Sequence, residues 1–108
     1  MIARTWSGVA AAAKADAYYR HFTSKAVPHL KDIPGYQGAH LLRRESDGQV
    51  EFLAITLWDS IETIKTFSGP NPDVAIVEPE GRIALTTFDD FARYYEVAYS
   101  TERGRVTS

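Results

Sequence analysis

The chain predicts an α+β fold of the ferredoxin-like type, with element order β-α-β-β-α-β. Its four-stranded antiparallel sheet carries both helices on one face. Three observations predict it. The run VEFLAITLW, Val50–Trp58, is apolar over most of its length and passes directly into a helix-start signal at Asp59. A short strand-forming segment at the N-terminus precedes an alanine-rich helical stretch. The strand-helix-strand pattern then recurs, so two βαβ-like halves of similar size are expected to interleave in the spatial order 4-1-3-2.

Each element has a local reason. Ile2–Gly8 reads as the first strand, on Ile2, Thr5 and Trp6. Ala10–Ala26 reads as a helix, with Ala15, Tyr18, Tyr19, Phe22 and Ala26 as its apolar stripe and Lys14, Asp16, Arg20 and Lys25 opposite. Pro28 is expected to kink or end it, with one short turn over His29–Asp32. Pro34-Gly35 is turn punctuation, Tyr36–Arg44 the second strand, and Ser46-Asp47-Gly48 a tight hairpin. Neither alternate set of Val50–Trp58 is polar, so this third strand reads as buried on both faces. Asp59 and Glu62 form a capping-box pattern for a second helix, whose Ile61, Ile64 and Phe67 recur at helical spacing. Ser68–Pro72 stops that helix. Asp73–Phe91 reads as an irregular excursion with one or two helical turns, and Arg93–Ser100 as the last strand. The domain is expected to span residues 1–100, with 101–108 a frayed polar tail.

Composition excludes whole classes of function. At 108 residues, with 12 basic and 14 acidic side chains, the chain has no electrostatic footprint for nucleic acid or an anionic membrane. It has no cysteine, which removes disulfides, thiolate metal sites and a cysteine nucleophile, and suits a cytoplasmic setting. The patch Val9–Ala13 is too short for a signal peptide and is interrupted by Lys14 and Asp16. No run approaches the roughly 18 apolar residues of a membrane span. The strands carry Trp6, Phe52, Tyr94, Tyr95 and Tyr99, more aromatic surface than a lone sheet leaves wet. A homodimer stacking sheet on sheet is therefore expected.

The third-strand corner, with Trp58, Ser60, Glu62 and Phe67, resembles that of the antibiotic biosynthesis monooxygenase family of dimeric α+β barrels. The stretch PGYQGAHLLRR, Pro34–Arg44, is similar to the second strand of that family, and the closing Tyr95-Glu96-Val97 to the last strand of one of its branches. The resemblance covers nearly the whole chain, residues 1–100. It implies a pocket between sheet and helices, lined by Trp58. In one branch such a pocket oxidises polycyclic phenols and anthrones with oxygen and no cofactor. A second branch binds and degrades haem, using that tryptophan, a first-strand asparagine and a later axial histidine. Here the first strand has no asparagine and no histidine follows His40, so haem degradation is not expected.

Cofactor-free oxygenation needs a base, a few hydrogen-bond donors and an apolar wall. His40, mid-strand between Ala39 and Leu41, is the candidate base; a dimer-interface or edge-strand histidine is the plainer account. Trp58 offers an indole N–H and a stacking face, or simply closes the core. Together these two form the catalytic expectation. Arg4, Trp6, Tyr18, Phe22 and Tyr94 are the substrate-binding candidates. Arg4 can also be read as a salt-bridge partner of Glu51 or Glu96, and Tyr18 and Phe22 as core. His21 and His29 read as boundary and surface residues, and the three histidines lack metal spacing, so no metal and no cofactor is expected. The expected activity is monooxygenation of a small aromatic molecule; the alternative is a non-enzymatic binding or structural dimer, with haem binding a minor third.

Overall fold

The computed structural model describes residues 1–68 and 79–101. Strand β1, Ile2–Ala11, lies at the centre of an antiparallel sheet. On one side it pairs with β3, Gln49–Trp58, from Ile2↔Trp58 to Ala11↔Gln49. On the other it pairs with two short strands, β4, Thr87–Phe88, and β5, Arg93–Glu96. Strand β2, Tyr36–Ser46, pairs with β3 and forms the edge. The order is the expected one, with the fourth strand divided into β4 and β5.

β1 runs three residues past its expected end. Ala10 and Ala11 have composition suited to helix, but the ladder of Val9, Ala10 and Ala11 to Glu51, Val50 and Gln49 holds them extended. Weak local propensity yields to a continuous tertiary hydrogen-bond partner. The hairpin between β2 and β3 turns at Asp47 (φ 52°) and Gly48 (φ 75°), the left-handed pair that a two-residue loop needs.

The first helical region starts with a 3-10 turn, Ala12–Lys14, and continues as α1, Ala15–His21. It does not end at Pro28. It widens into a π turn over Phe22–Ala26, where the Val27 N–H reaches the Phe22 carbonyl, and resumes as α2, Val27–Leu30. Proline has no N–H to offer one turn back, and its ring would strike that carbonyl; the wider turn makes room. The Thr23 hydroxyl donates to the Tyr19 carbonyl at 3.0 Å, and the Ser24 hydroxyl to that of Arg20. Tyr19, expected on the apolar stripe, is half exposed.

Helix α3, Ile61–Ser68, begins one residue later than the capping pattern implied. Ser60, not Asp59, caps it: the Thr63 N–H donates to Ser60 Oγ at 3.4 Å and the Ser60 N–H to Thr63 Oγ1 at 3.4 Å. Asp59 instead accepts a hydrogen bond from Gln37, and its backbone N–H donates to the Gly35 carbonyl at 2.9 Å. Gly35 (φ 91°) packs so tightly on α3 that a Cβ would lie 2.5 Å from Thr63 Cγ2.

The expected excursion resolves at its end into α4, Pro79–Ala84, followed by β4. Ser68, where the stop was expected to begin, is the last residue of α3; 69–72, the start of the excursion and the tail beyond 101 lie outside the described residues. The last strand is shorter than expected, closing at Glu96, though the Val97 N–H still donates to the Met1 carbonyl at 3.0 Å.

β3 is not buried on both faces. Val50, Phe52, Ala54, Thr56 and Trp58 are buried on the inner face, towards the helices, while Glu51, Leu53, Ile55 and Leu57 stay partly open on the outer face. The inner face holds two hydrophobic clusters. One gathers Trp6, Tyr18, Phe22, Phe52 and Leu85; the other gathers Leu30, Trp58 and Ile64, with Ile2, Tyr36 and Tyr94 at its margin.

A polar row between two apolar clusters: the candidate functional site

Register places a single row of residues across the inner face. Tyr94 of β5 lies opposite Arg4 of β1, Arg4 opposite Thr56 of β3, and Thr56 opposite Ala39 of β2. Directly opposed residues share a face. The row on one side is Trp6, Ala54 and Leu41, part of the first cluster. The row on the other side holds Ile2, Trp58 and Tyr36, part of the second. The polar row therefore forms a seam between two apolar bodies.

Both central members of the seam are buried, Arg4 at 8% and Thr56 at 8% exposure. Arg4 Nε donates to the Tyr94 hydroxyl at 3.1 Å, and its guanidinium carbon stands 6.0 Å from the Tyr94 ring centre. Trp58 is wholly buried and its Nε1 donates to Thr56 Oγ1 at 2.9 Å. Tyr36 meets the Trp58 indole edge-on, with ring centres 5.5 Å apart. A guanidinium and two hydroxyls thus stand in low-dielectric surroundings, where charge acts more strongly than in water. Such a set stabilises an anionic oxygen and lowers the pKa of an acidic ligand. Burial has the opposite effect on the chain's own phenols, pushing up Tyr36 and, much further, Tyr18.

The structure joins some of the expected site residues and separates others. Arg4 and Tyr94 come together. Trp58 reaches the same row, but through Thr56, so its indole N–H is already engaged. His40 does not meet Trp58. It lies opposite Ile55 on the outer face of β2 and is exposed, because strand alternation puts it out of phase with Ala39 and Leu41. Trp6, Tyr18 and Phe22 all belong to the first cluster: Tyr18 packs on Phe52 at 4.9 Å, and the Trp6 N–H donates to the Asp89 carbonyl at 2.7 Å. Glu51 does not pair with Arg4; it lies on the outer face and binds Arg44 at 2.6 Å. Thr56 was missed by sequence reasoning. Its signal was present, since it is the one polar side chain in the even-numbered set from Val50 to Trp58.

Two depressions open elsewhere. One of about 230 Å³ lies at the β2–β3 hairpin beside Ala12 and Gly48. One of about 300 Å³ lies on the outer face, over Ser7, Leu42, Leu53 and the Arg44–Glu51 pair. Among the described residues no helix is long and apolar enough to cross a membrane.

The fold is shared with solved structures of the kind that the resemblance implied. A candidate antibiotic biosynthesis monooxygenase from Bacillus cereus superposes with a TM-score of 0.67 at 15% identity, covering 94% of this chain and 97% of that one. The haem degrader MhuD from Mycobacterium tuberculosis, with two haems bound in its active site, gives 0.65 at 18% identity over 94% of this chain and 100% of its own. A mutant of MhuD with two manganese protoporphyrin IX groups per active site gives 0.63 at 17% identity, over 95% and 100%. No family model and no curated protein matches the chain.

No histidine stands at the seam. α3 carries no histidine, His40 is on the opposite face, His29 is exposed on α2, and His21 packs beside Tyr18 of the first cluster. The Tyr94 hydroxyl accepts from Arg4.

Proposed function

We propose that the inner-face seam binds a small aromatic acid, of the phenol, anthrone or quinol class, and that the chain is a cofactor-independent monooxygenase. The observation that carries this is buried Arg4 bonded to half-buried Tyr94, in a row between two apolar clusters. The cluster rims supply flat apolar walls for a ring system, and Arg4 supplies the charge that favours the ring's ionised oxygen. His40 has no part at this seam, so Arg4 favours the ionised ligand by its charge and the released proton passes to water. An electron-rich anion held there reduces oxygen; for an anthrone, one oxygen atom becomes the new carbonyl and the other leaves as water. Oxygen is the only oxidant needed. With this reading goes the cytoplasmic setting that a cysteine-free composition suits.

The outer face supports a homodimer. Leu42 (50% exposed), Leu53 (36%) and Tyr95 (53%) stand on it with Ile55 and Leu57. Four strands at about 4.8 Å spacing and nine residues at about 3.3 Å give a face of about 600 Å². That approaches the roughly 800 Å² per partner of a standard interface, and a second copy of the same sheet covers it.

One observation favours a second reading, a non-enzymatic binding or structural dimer: Trp58 is fully buried with its N–H satisfied inside the chain. A tryptophan-fluorescence titration separates the two. Saturable quenching by an anthrone, abolished in Arg4→Met, followed by oxygen uptake, supports the monooxygenase. Quenching without oxygen uptake supports a binding dimer. No quenching leaves the structural dimer, and saturation by haemin alone overturns both. A monomer mass by light scattering at micromolar concentration removes the dimer.

A further inference from the structure

We infer that Thr56 is a ligand-contacting donor that selects an ionised oxygen at this seam, and that Trp58 is its positioning residue. The inference rests on the reading of the seam as an anion site. A threonine hydroxyl has one proton to give and two lone pairs to receive. The Trp58 N–H occupies one lone pair at 2.9 Å. An indole nitrogen donates only, so it cannot take the Thr56 proton in return. The row neighbours do not take it either: Arg4 is donor-only and Ala39 is apolar. Among the described residues no acceptor receives this proton.

Thr56 Oγ1 is satisfied as an acceptor, but its own proton, more than nine-tenths buried, gains a hydrogen bond only where an acceptor is supplied. Here the donor stands directly across from a guanidinium, where an acceptor with negative charge is the natural complement. The Trp58 bond also limits rotation of the hydroxyl, so its proton is held to the remaining directions before a ligand arrives. Such preorganisation is what makes a donor effective towards developing charge. Trp58 then needs no direct contact with the ligand to influence binding.

The test compares two probes with the same tricyclic skeleton, anthrone and its methyl enol ether, which cannot ionise. Their dissociation constants are measured with the full chain and with Thr56→Val, Thr56→Ser and Trp58→Phe, each checked for fold by circular dichroism. In Thr56→Val, anthrone should bind about tenfold more weakly or worse, as expected for a lost hydrogen bond to a charged group. The ether should stay within about threefold. Thr56→Ser should keep the wild-type ratio, and Trp58→Phe should lower it only partly. Should Thr56→Val not fold, Thr56→Ala serves for the same ratio. If the ratio in the hydroxyl-free variant equals that of the wild type, or both probes weaken together, Thr56 is only a packing residue and the inference is overturned while the anion site stands. If the wild type binds neither probe, the anion site itself fails and this inference with it.

Discussion

The two faces of the sheet are made by the same strands and differ by one residue of phase. On the inner face, Phe52 is completely buried under Tyr18; its neighbour Leu53, on the outer face, keeps 36% of its surface in water. The inner face is closed by the chain's own helices and contains a polar seam. The outer face carries Leu42, Leu53, Ile55, Leu57 and Tyr95 among polar neighbours, and among the described residues these side chains stay partly or largely exposed. Buried area alone therefore does not distinguish a core from an interface; what distinguishes them is whether the covering element belongs to the same chain.

The largest effect should come from breaking the inner face. Phe52→Ala should cost about 3–5 kcal/mol, the range for deleting a buried aromatic ring. Urea denaturation measures it, and the cost should not vary with protein concentration. Leu53→Ala sharpens the contrast: its cost should grow with concentration where a second copy covers the face. A Leu53→Ala cost that is the same at all concentrations would count against the dimer.

Next is the corner that sets the second cluster. Gly35→Ala should destabilise by roughly 2 kcal/mol, more than the ordinary glycine-to-alanine effect, because a positive φ and the contact with Thr63 act together. Thermal melting checks it, and a change below about half a kcal/mol would mean that α3 moves aside easily. Ser60→Ala should cost about 1 kcal/mol as a lost N-cap, while Asp59→Ala should cost less. Equal losses would restore Asp59 as the cap.

The smallest effect at neutral pH is that of Tyr18→Phe, which should be nearly silent there. Burial raises the Tyr18 pKa above its ordinary value of 10.0. The unfolded chain then loses this proton first as pH rises. Stability is fully present below about pH 10 and falls above it. Tyr18→Phe should flatten that alkaline loss in a pH series of urea midpoints. An unchanged slope would move the burial penalty to another phenol.

Much of this architecture was legible before any coordinates. The recurring strand-helix-strand pattern gave reason to expect the sheet order, and turn and capping chemistry located the Asp47-Gly48 hairpin and the Trp58 corner. The site was legible in part. Arg4, Tyr94 and Trp58 were recognisable as polar or amphipathic groups on apolar strands, yet the pairing of His40 with Trp58 failed on phase. A one-residue offset in β2 relative to β3 sends a side chain to the opposite face, and the register shift between Tyr36 and Gly38 is not visible in composition. Thr56 was hidden because a strand read as buried on both faces gives no reason to ask which way one hydroxyl points.

The sequence alone determined what depends on neighbours along the chain: the number, type and order of most elements, the hairpin turn, the absence of thiol chemistry, and the apolar residues that two sheet faces must share. Tertiary structure alone decided what depends on register across strands. It brought Tyr94, Arg4 and Thr56 into one row, assigned Glu51 to Arg44, and carried the helix through Pro28. Those outcomes turn on side chains dozens of residues apart meeting at hydrogen-bond distance, and local propensity holds no information about which of two faces they will share.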